Sequence, residues 1–139
     1  MARLVKDVMT TNPIRLSSSA PVIEAAKQMR NADIGAVIVE DDGHVAGIVT
    51  DRDIAVRAVA AGKDPEKTPV SDIVSRDLAT LSPNDDLERA VKLMREKAIR
   101  RIPVIDGGRA VGIVSLGDLA IERDASSALG QISAAPPNQ

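Results

Sequence analysis

The chain is written twice. Shifted by 65 residues, the 139-residue sequence aligns Asp7 through Arg57 with Asp72 through Glu122 without a gap, and sixteen of the aligned positions are identical. Average composition would give roughly three or four by chance. The clearest copy pairs "VAGIVTDRDIAV", beginning at Val45, with "AVGIVSLGDLAI", beginning at Ala110. A unit of about 60 residues buries too little surface to be more than marginally stable alone. Two such units are therefore expected to pack into one domain around a pseudo-two-fold axis.

Each copy carries the same order of signals. A short β-prone piece comes first, "PIRL" or "LATL". A helix follows, because Val22, Ala25, Ala26 and Met29 fall at i, i+3, i+4 and i+7, as do Leu87, Ala90, Val91 and Met94. Pro21 suits the first turn of the first helix, and Ser82 or Asn84 is placed to cap the second. Two apolar runs joined through Asp42-Gly43, and again through Gly107-Gly108, predict a hairpin. A second helix closes each copy, "DRDIAVRAVAA" and "LGDLAIERDA". The expected fold is mixed α/β, with the order β-α-β-β-α occurring twice. Residues 5–61 form the first repeat, 62–69 a linker, 70–124 the second repeat and 125–139 a flexible tail.

Composition narrows the function classes. There is no Phe, Tyr or Trp, so the core must be aliphatic, and no Cys, so disulfides and thiolate chemistry are excluded. A net charge of −2, with both signs interspersed, provides no cationic surface for nucleic acid and no aromatic platform for bases. No apolar run is long enough to span a membrane, and a cytoplasmic location is expected. The single histidine, His44, follows a turn and has no Cys to share a metal with. No nucleophile–base pair and no metal-ligand spacing occurs, so the chain is not expected to be an enzyme.

The repeated "TDRD" and "SLGD" admit two readings. Thr50 or Ser115 followed three residues later by Asp53 or Asp118 is the spacing of a capping box. The same place is also an anion site, since a helix start presents unpaired N–H groups and a positive dipole end. A hydroxyl there can donate to phosphate, and an aspartate one turn in can accept from ribose hydroxyls. Gly47 and Gly112 would let the strand backbone approach a flat ring or the other repeat.

With these motifs in their β-α-β-β-α context, and "RRIPVID" before the second, the chain resembles a pair of cystathionine-β-synthase (CBS) domains from about Val5 to Asp124. It is similar to small stand-alone bacterial proteins made of one such pair. The resemblance implies two units packed through their sheets, with clefts for adenosine-containing ligands: AMP, ADP, ATP or S-adenosylmethionine. It implies that Asp53 and Asp118 hold ribose and that Thr50 and Ser115 help hold the phosphate or ribose side. Thr10, Asn12, Pro13 and Ile14 would line an adenine pocket, and Arg100 and Arg101 would meet phosphate.

The copies differ, so two equally good sites are not expected. Gly35-Ala36 stands against Arg100-Arg101, Ile38 against Pro103, Met9-Thr10 against Val74-Ser75, and Asp51-Arg52 against Leu116-Gly117. The site of Thr50 and Asp53 ranks first, with Arg100 or Arg101 reaching it from the other copy. Asp51 would repel a polyphosphate, which disfavours ATP. The expected function is a regulatory module that needs no cofactor, takes an adenine nucleotide as ligand and signals through another chain. A homodimer is expected, joined through helix faces that include Ala55, Val56, Val59, Ala120 and Ile121. The alternative is a structural or interaction dimer whose clefts bind no nucleotide.

Overall fold

A computed structural model describes residues 3–76 and 79–123. The expected tail, 125–139, lies outside the described residues, as do Leu78 and Asp124 at the edges of the predicted second repeat. The chain divides into two compact units that do not follow the sequence repeats. One, the Asp53 unit, runs from Pro13 to residue 76. The other, the Asp118 unit, joins the residues up to Asn12 with those from Ala79 onward.

In the Asp53 unit, strand β2 (Arg15–Ser17) runs parallel to β3 (Ala36–Asp41), which pairs antiparallel with β4 (His44–Thr50). Helix α2 (Val22–Ala32) packs Val22, Ala25 and Met29 inward, the three-four spacing seen in the sequence. The Asp118 unit repeats the plan with α4 (Leu87–Lys97), which buries Leu87, Ala90 and Met94, and the hairpin β5 (Arg101–Asp106)–β6 (Arg109–Ser115). A short helix α1 (Val5–Val8) and strand β1 (Thr10–Thr11) come from the start of the chain, and β1 pairs antiparallel with β6. Both hairpins turn on left-handed pairs, Asp42-Gly43 and Gly107-Gly108, whose twist matches that of the flanking strands. Both carry a bulge at the same place, Val39/Glu40 and Val104/Ile105. Each unit has its own core, built around Val37, Val39, Val49 and Ile73 in one and Val5, Leu81, Ile102, Val104 and Val114 in the other.

Several local expectations are corrected. The strand expected at "LATL" is reduced, in its described part, to a single bridge, Leu81 to Val104. Neither Ser82 nor Asn84 caps α4; its N-cap is Asp86, which makes no side-chain cap bond. Pro21 likewise sits at the N-cap of α2 and not in its first turn. Backbone carbonyls supply the caps in their place. Val22 N–H donates to Thr68 O (2.8 Å) and Ile23 N–H to Pro65 O (2.9 Å), while Leu87 N–H donates to Arg3 O (3.1 Å). Thr68 and Arg3 are themselves related by the 65-residue shift. The segment leading into each repeat therefore satisfies the orphan N–H groups of the other repeat's helix. This is the physical reason the units exchange their leading segments.

The closing helices also differ from expectation. Helix α5 (Leu116–Arg123) is regular, but α3 (Asp51–Asp53) continues as a π-helix over Ile54–Val59. Wide turns of this kind are rare and concentrate at functional sites.

Candidate functional site

Strand β4 ends at Thr50 and β6 at Ser115, and each hands directly into a helix. Thr50 is the extended N-cap of α3. Its Oγ1 accepts from Asp53 N–H (3.2 Å), and Asp53 Oδ2 accepts from Thr50 N–H (2.9 Å). Ser115 and Asp118 make the same two bonds, at 3.1 and 2.8 Å. Both capping boxes anticipated from spacing are therefore complete. The first helical N–H is also taken in each unit: Asp51 N–H donates to Gly35 O (3.0 Å), and Leu116 N–H to Arg100 O (2.8 Å).

The second helical N–H separates the two sites. In the Asp53 unit, Arg52 N–H donates to the Asp51 carboxylate (2.9 Å), so the fold itself satisfies the whole first turn. At the corresponding Gly117 no such acceptor exists, because Leu116 has an apolar side chain. Asp53 is, moreover, only 8% exposed and lies 3.8 Å from Arg57 Nε. Arg57 Nη1 reaches the Ile73 carbonyl as well (3.4 Å). One arginine thus ties Asp53 to the opening segment of the second repeat. The residue matching Arg57 is Glu122.

The leading segments lie along the motif strands. Thr10 pairs with Ile113 and Thr11 with Gly112, while Ser75 bridges to Ile48. Both glycines are explained by this approach. A Cβ on Gly47 would overlap the Ser75 carbonyl oxygen and the Val74 side chain. A Cβ on Gly112 would lie 2.6 Å from Met9 Sδ and 2.9 Å from Thr10 O. Of the two uses considered for these glycines, close approach of the other repeat's sequence is the one observed.

The anticipated site residues therefore fall into two groups. Thr10, Asn12, Arg100, Arg101, Gly112, Ser115 and Asp118 belong to the Asp118 unit, where Arg101 pairs across the hairpin with Ser115. Pro13, Ile14, Gly47, Thr50 and Asp53 belong to the Asp53 unit. There Pro13 is buried and Ile14 packs against the core, so both serve the fold directly. Asn12, at the division between the units, takes a left-handed backbone conformation (φ 53°).

A cavity of about 270 Å³ opens in the Asp118 unit, lined by Asp7, Val8, Asp118 and Ile121. Of these, only Asp118 was singled out from the sequence as a ligand contact. The signal for Asp7 was present, since Asp7 and Asp72 are an identical pair of the repeat. Arg57 was legible as well, as a cation four residues after an aspartate. Among the described residues no group of three or more His, Cys, Asp or Glu side chains is placed to hold a metal ion. No described helix is long and apolar enough to cross a membrane.

Comparison with known proteins fits this geometry. The CBS domain family model matches residues 5–59 and 70–123. CBS domain-containing protein YhcV of Bacillus subtilis is 44% identical over 133 residues, spanning 93% of this chain and 94% of that protein. The crystal structure of the CBS domain pair of protein MJ0100, in complex with 5′-methylthioadenosine and S-adenosyl-L-methionine, superposes with a TM-score of 0.82 at 29% identity, covering 91% of this chain and all (100%) of that one. Hypoxic Response Protein I, solved with two coordinated zinc ions, is similar at a TM-score of 0.77 and 32% identity, covering 85% and 97% of the two chains.

Proposed function

The chain belongs to the CBS domain family, and from that premise we propose that it is a regulatory module that senses an adenosine-containing small molecule. The observation that carries this reading is the cavity of about 270 Å³ beside the Ser115–Asp118 cap. It lies just below the range of about 300–1,000 Å³ usual for small-ligand sites. Its walls combine the apolar side chains of Val8 and Ile121 with the carboxylate of Asp118. One oxygen of that carboxylate is held by Ser115 N–H, which fixes its orientation for a ribose hydroxyl. The ligand-bound CBS pair of protein MJ0100 supports the ligand class.

The Asp118 unit is the better of the two sites. Its helix start carries Leu116 where the other has Asp51, and Glu122 stands in the sequence where the other has Arg57. The sequence ranks the site of Thr50 and Asp53 first; this proposal takes the opposite order.

The response passes to another protein through a shape change, because a ligand shifts an equilibrium only by binding two states unequally. The module acts as a homodimer in the cytoplasm and carries out no catalysis. Val56 and Val59, 52% and 67% exposed on the π-helix, supply apolar surface for self-association.

A second reading has a specific observation behind it. Both capping boxes are complete without a ligand, as expected of a purely structural dimer. Equilibrium dialysis separates the two readings. The chain has no Trp, Tyr, Phe or Cys, so adenine absorbance in the protein chamber is read against almost no background. Excess absorbance with AMP, ATP, S-adenosylmethionine or 5′-methylthioadenosine is expected. A flat result with all four leaves the structural dimer.

A further inference from the structure

The chain has no Cys, so its only sulfur lies in four methionines. Among the described residues, Met29 and Met94 are 8% and 7% exposed, whereas Met9 is half-buried. We propose that Met9 is an oxidation site for peroxide, and that its sulfoxide releases strand β1 from β6 in the Asp118 unit. This goes beyond adenosine sensing and does not depend on it.

The thioether of Met9 lies directly over the backbone of the motif strand. A Cβ on Gly112 would be 2.6 Å from Met9 Sδ and 2.9 Å from its Cγ, so the side chain fills the space that residue 112 leaves bare. Met9 also packs against the core that contains Val5, Leu81 and Val104. Oxidation would put a strong hydrogen-bond acceptor on that sulfur. Gly112 has no side chain to donate to it, and the core side chains are apolar. Keeping such a group buried without a partner costs free energy, so the sulfoxide turns toward solvent, as the half-burial of Met9 permits.

The leading segment is held unequally along its length. Its start is firmly fixed: Val5 is fully buried, its N–H donates to Asp85 O (2.8 Å), Lys6 N–H donates to Pro83 O (2.9 Å) and Leu87 N–H to Arg3 O (3.1 Å). Beyond Met9, β1 contributes two paired residues, Thr10 and Thr11, and both are exposed. Met9 joins the two parts, since its own N–H donates to Val5 O (3.0 Å) and closes α1. Withdrawing its side chain therefore frees β1 and leaves α1 in place.

The step balances with hydrogen peroxide as the oxidant. The sulfur lone pair attacks one peroxide oxygen, an S–O bond forms and the O–O bond breaks. The proton of the transferred oxygen passes to the departing hydroxide, which leaves as water. The thioether is oxidised to sulfoxide and the peroxide is reduced. In the Asp53 unit the matching residue is Val74, whose side chain stands against Gly47. Valine has no sulfur, so the device belongs to one unit.

The test is graded hydrogen peroxide on the full chain, read by peptide mass spectrometry. In native buffer Met9 is expected to gain oxygen at least about tenfold faster than Met29 and Met94, because oxidation follows accessibility. In denaturant the three are expected to react alike. Hydrogen–deuterium exchange then reads the release. After oxidation the amides of β1 and β6 are expected to exchange at least about fivefold faster, with those of α4 unchanged. Met9→Leu keeps a similar volume without the sulfur, and under the same treatment it is expected to keep its protection. Met9→Gln, which carries a polar oxygen, is expected to lose protection without peroxide. Equal rates at the three methionines of the native chain would overturn the site. Fast oxidation of Met9 with unchanged exchange in β6, or an equal loss of protection in treated Met9→Leu, would overturn the release.

Discussion

The helices that follow Thr50 and Ser115 begin with the same two hydrogen bonds and then diverge. After Thr50 the chain satisfies its own first turn with Asp51, offsets Asp53 with Arg57 and relaxes into a π-helix. After Ser115 the matching positions are Leu116 and Glu122, the helix continues as a regular one, and a cavity lies beside Asp118. One motif thus serves two ends. Where neighbouring side chains complete the motif, it is structural. Where they do not, the second helical N–H has no acceptor in the preceding side chain. A motif match therefore locates a helix start, and the residues at its second position and one turn later set the surroundings of that start.

The largest expected effect lies in the glycines. Gly47→Ala should destabilise the chain by about 3 kcal/mol, because its Cβ meets a backbone carbonyl that cannot move alone. Gly112→Ala should cost about half as much, since its nearest neighbour is the flexible thioether of Met9. Chemical denaturation followed by circular dichroism measures both. Equal costs would mean that the two leading segments are held with equal rigidity.

Next comes the aspartate pair. Asp53→Ala and Asp118→Ala should each lose about 1 kcal/mol of stability as broken caps. Only Asp118→Ala should also lose about 2–3 kcal/mol of adenosine-ligand binding, roughly 30- to 150-fold. Calorimetry that assigned the binding loss to Asp53 would invert the comparison between the units.

A smaller difference sits at the ends of α2 and α4. Asp33 and Ala98 both close their helices in the left-handed conformation, at φ 59° and 54°. Alanine has no side chain to ease that conformation, whereas aspartate tolerates it better. Ala98→Gly should therefore stabilise by about 1 kcal/mol and Asp33→Gly by less, read as shifts in thermal midpoint. The smallest effect belongs to Arg57. Its side chain is 51% exposed, so Arg57→Ala should change stability by no more than about 0.5 kcal/mol. A larger loss would show that the contact with the Ile73 carbonyl holds the leading segment in place.

Much of this was legible in the chain itself. The periodicity of Val22, Ala25 and Met29, and of Leu87, Ala90 and Met94, located both core-facing helices. The Asp42-Gly43 and Gly107-Gly108 pairs located both hairpins. The capping boxes were read correctly because every atom they use lies within four residues. The caps of α2 and α4 were misassigned for the opposite reason: the carbonyls of Thr68 and Arg3 come from remote segments, and any residue can offer a carbonyl. The π-helix was also missed, because Ile54–Val59 has nothing in its composition to distinguish it from an ordinary helix.

The sequence by itself determined that there are two copies of one unit, an aliphatic core and a hydroxyl–aspartate pair at each motif helix. Those features follow from composition and short-range spacing, which the unfolded chain already carries. Only the tertiary structure decided which leading segment lies on which motif strand, and therefore why Gly47 and Gly112 must be glycine. It alone put Asp7 beside Asp118 and Arg57 beside the Ile73 carbonyl. Those pairings depend on backbone groups and close approaches between distant residues, and no spacing along the chain encodes them.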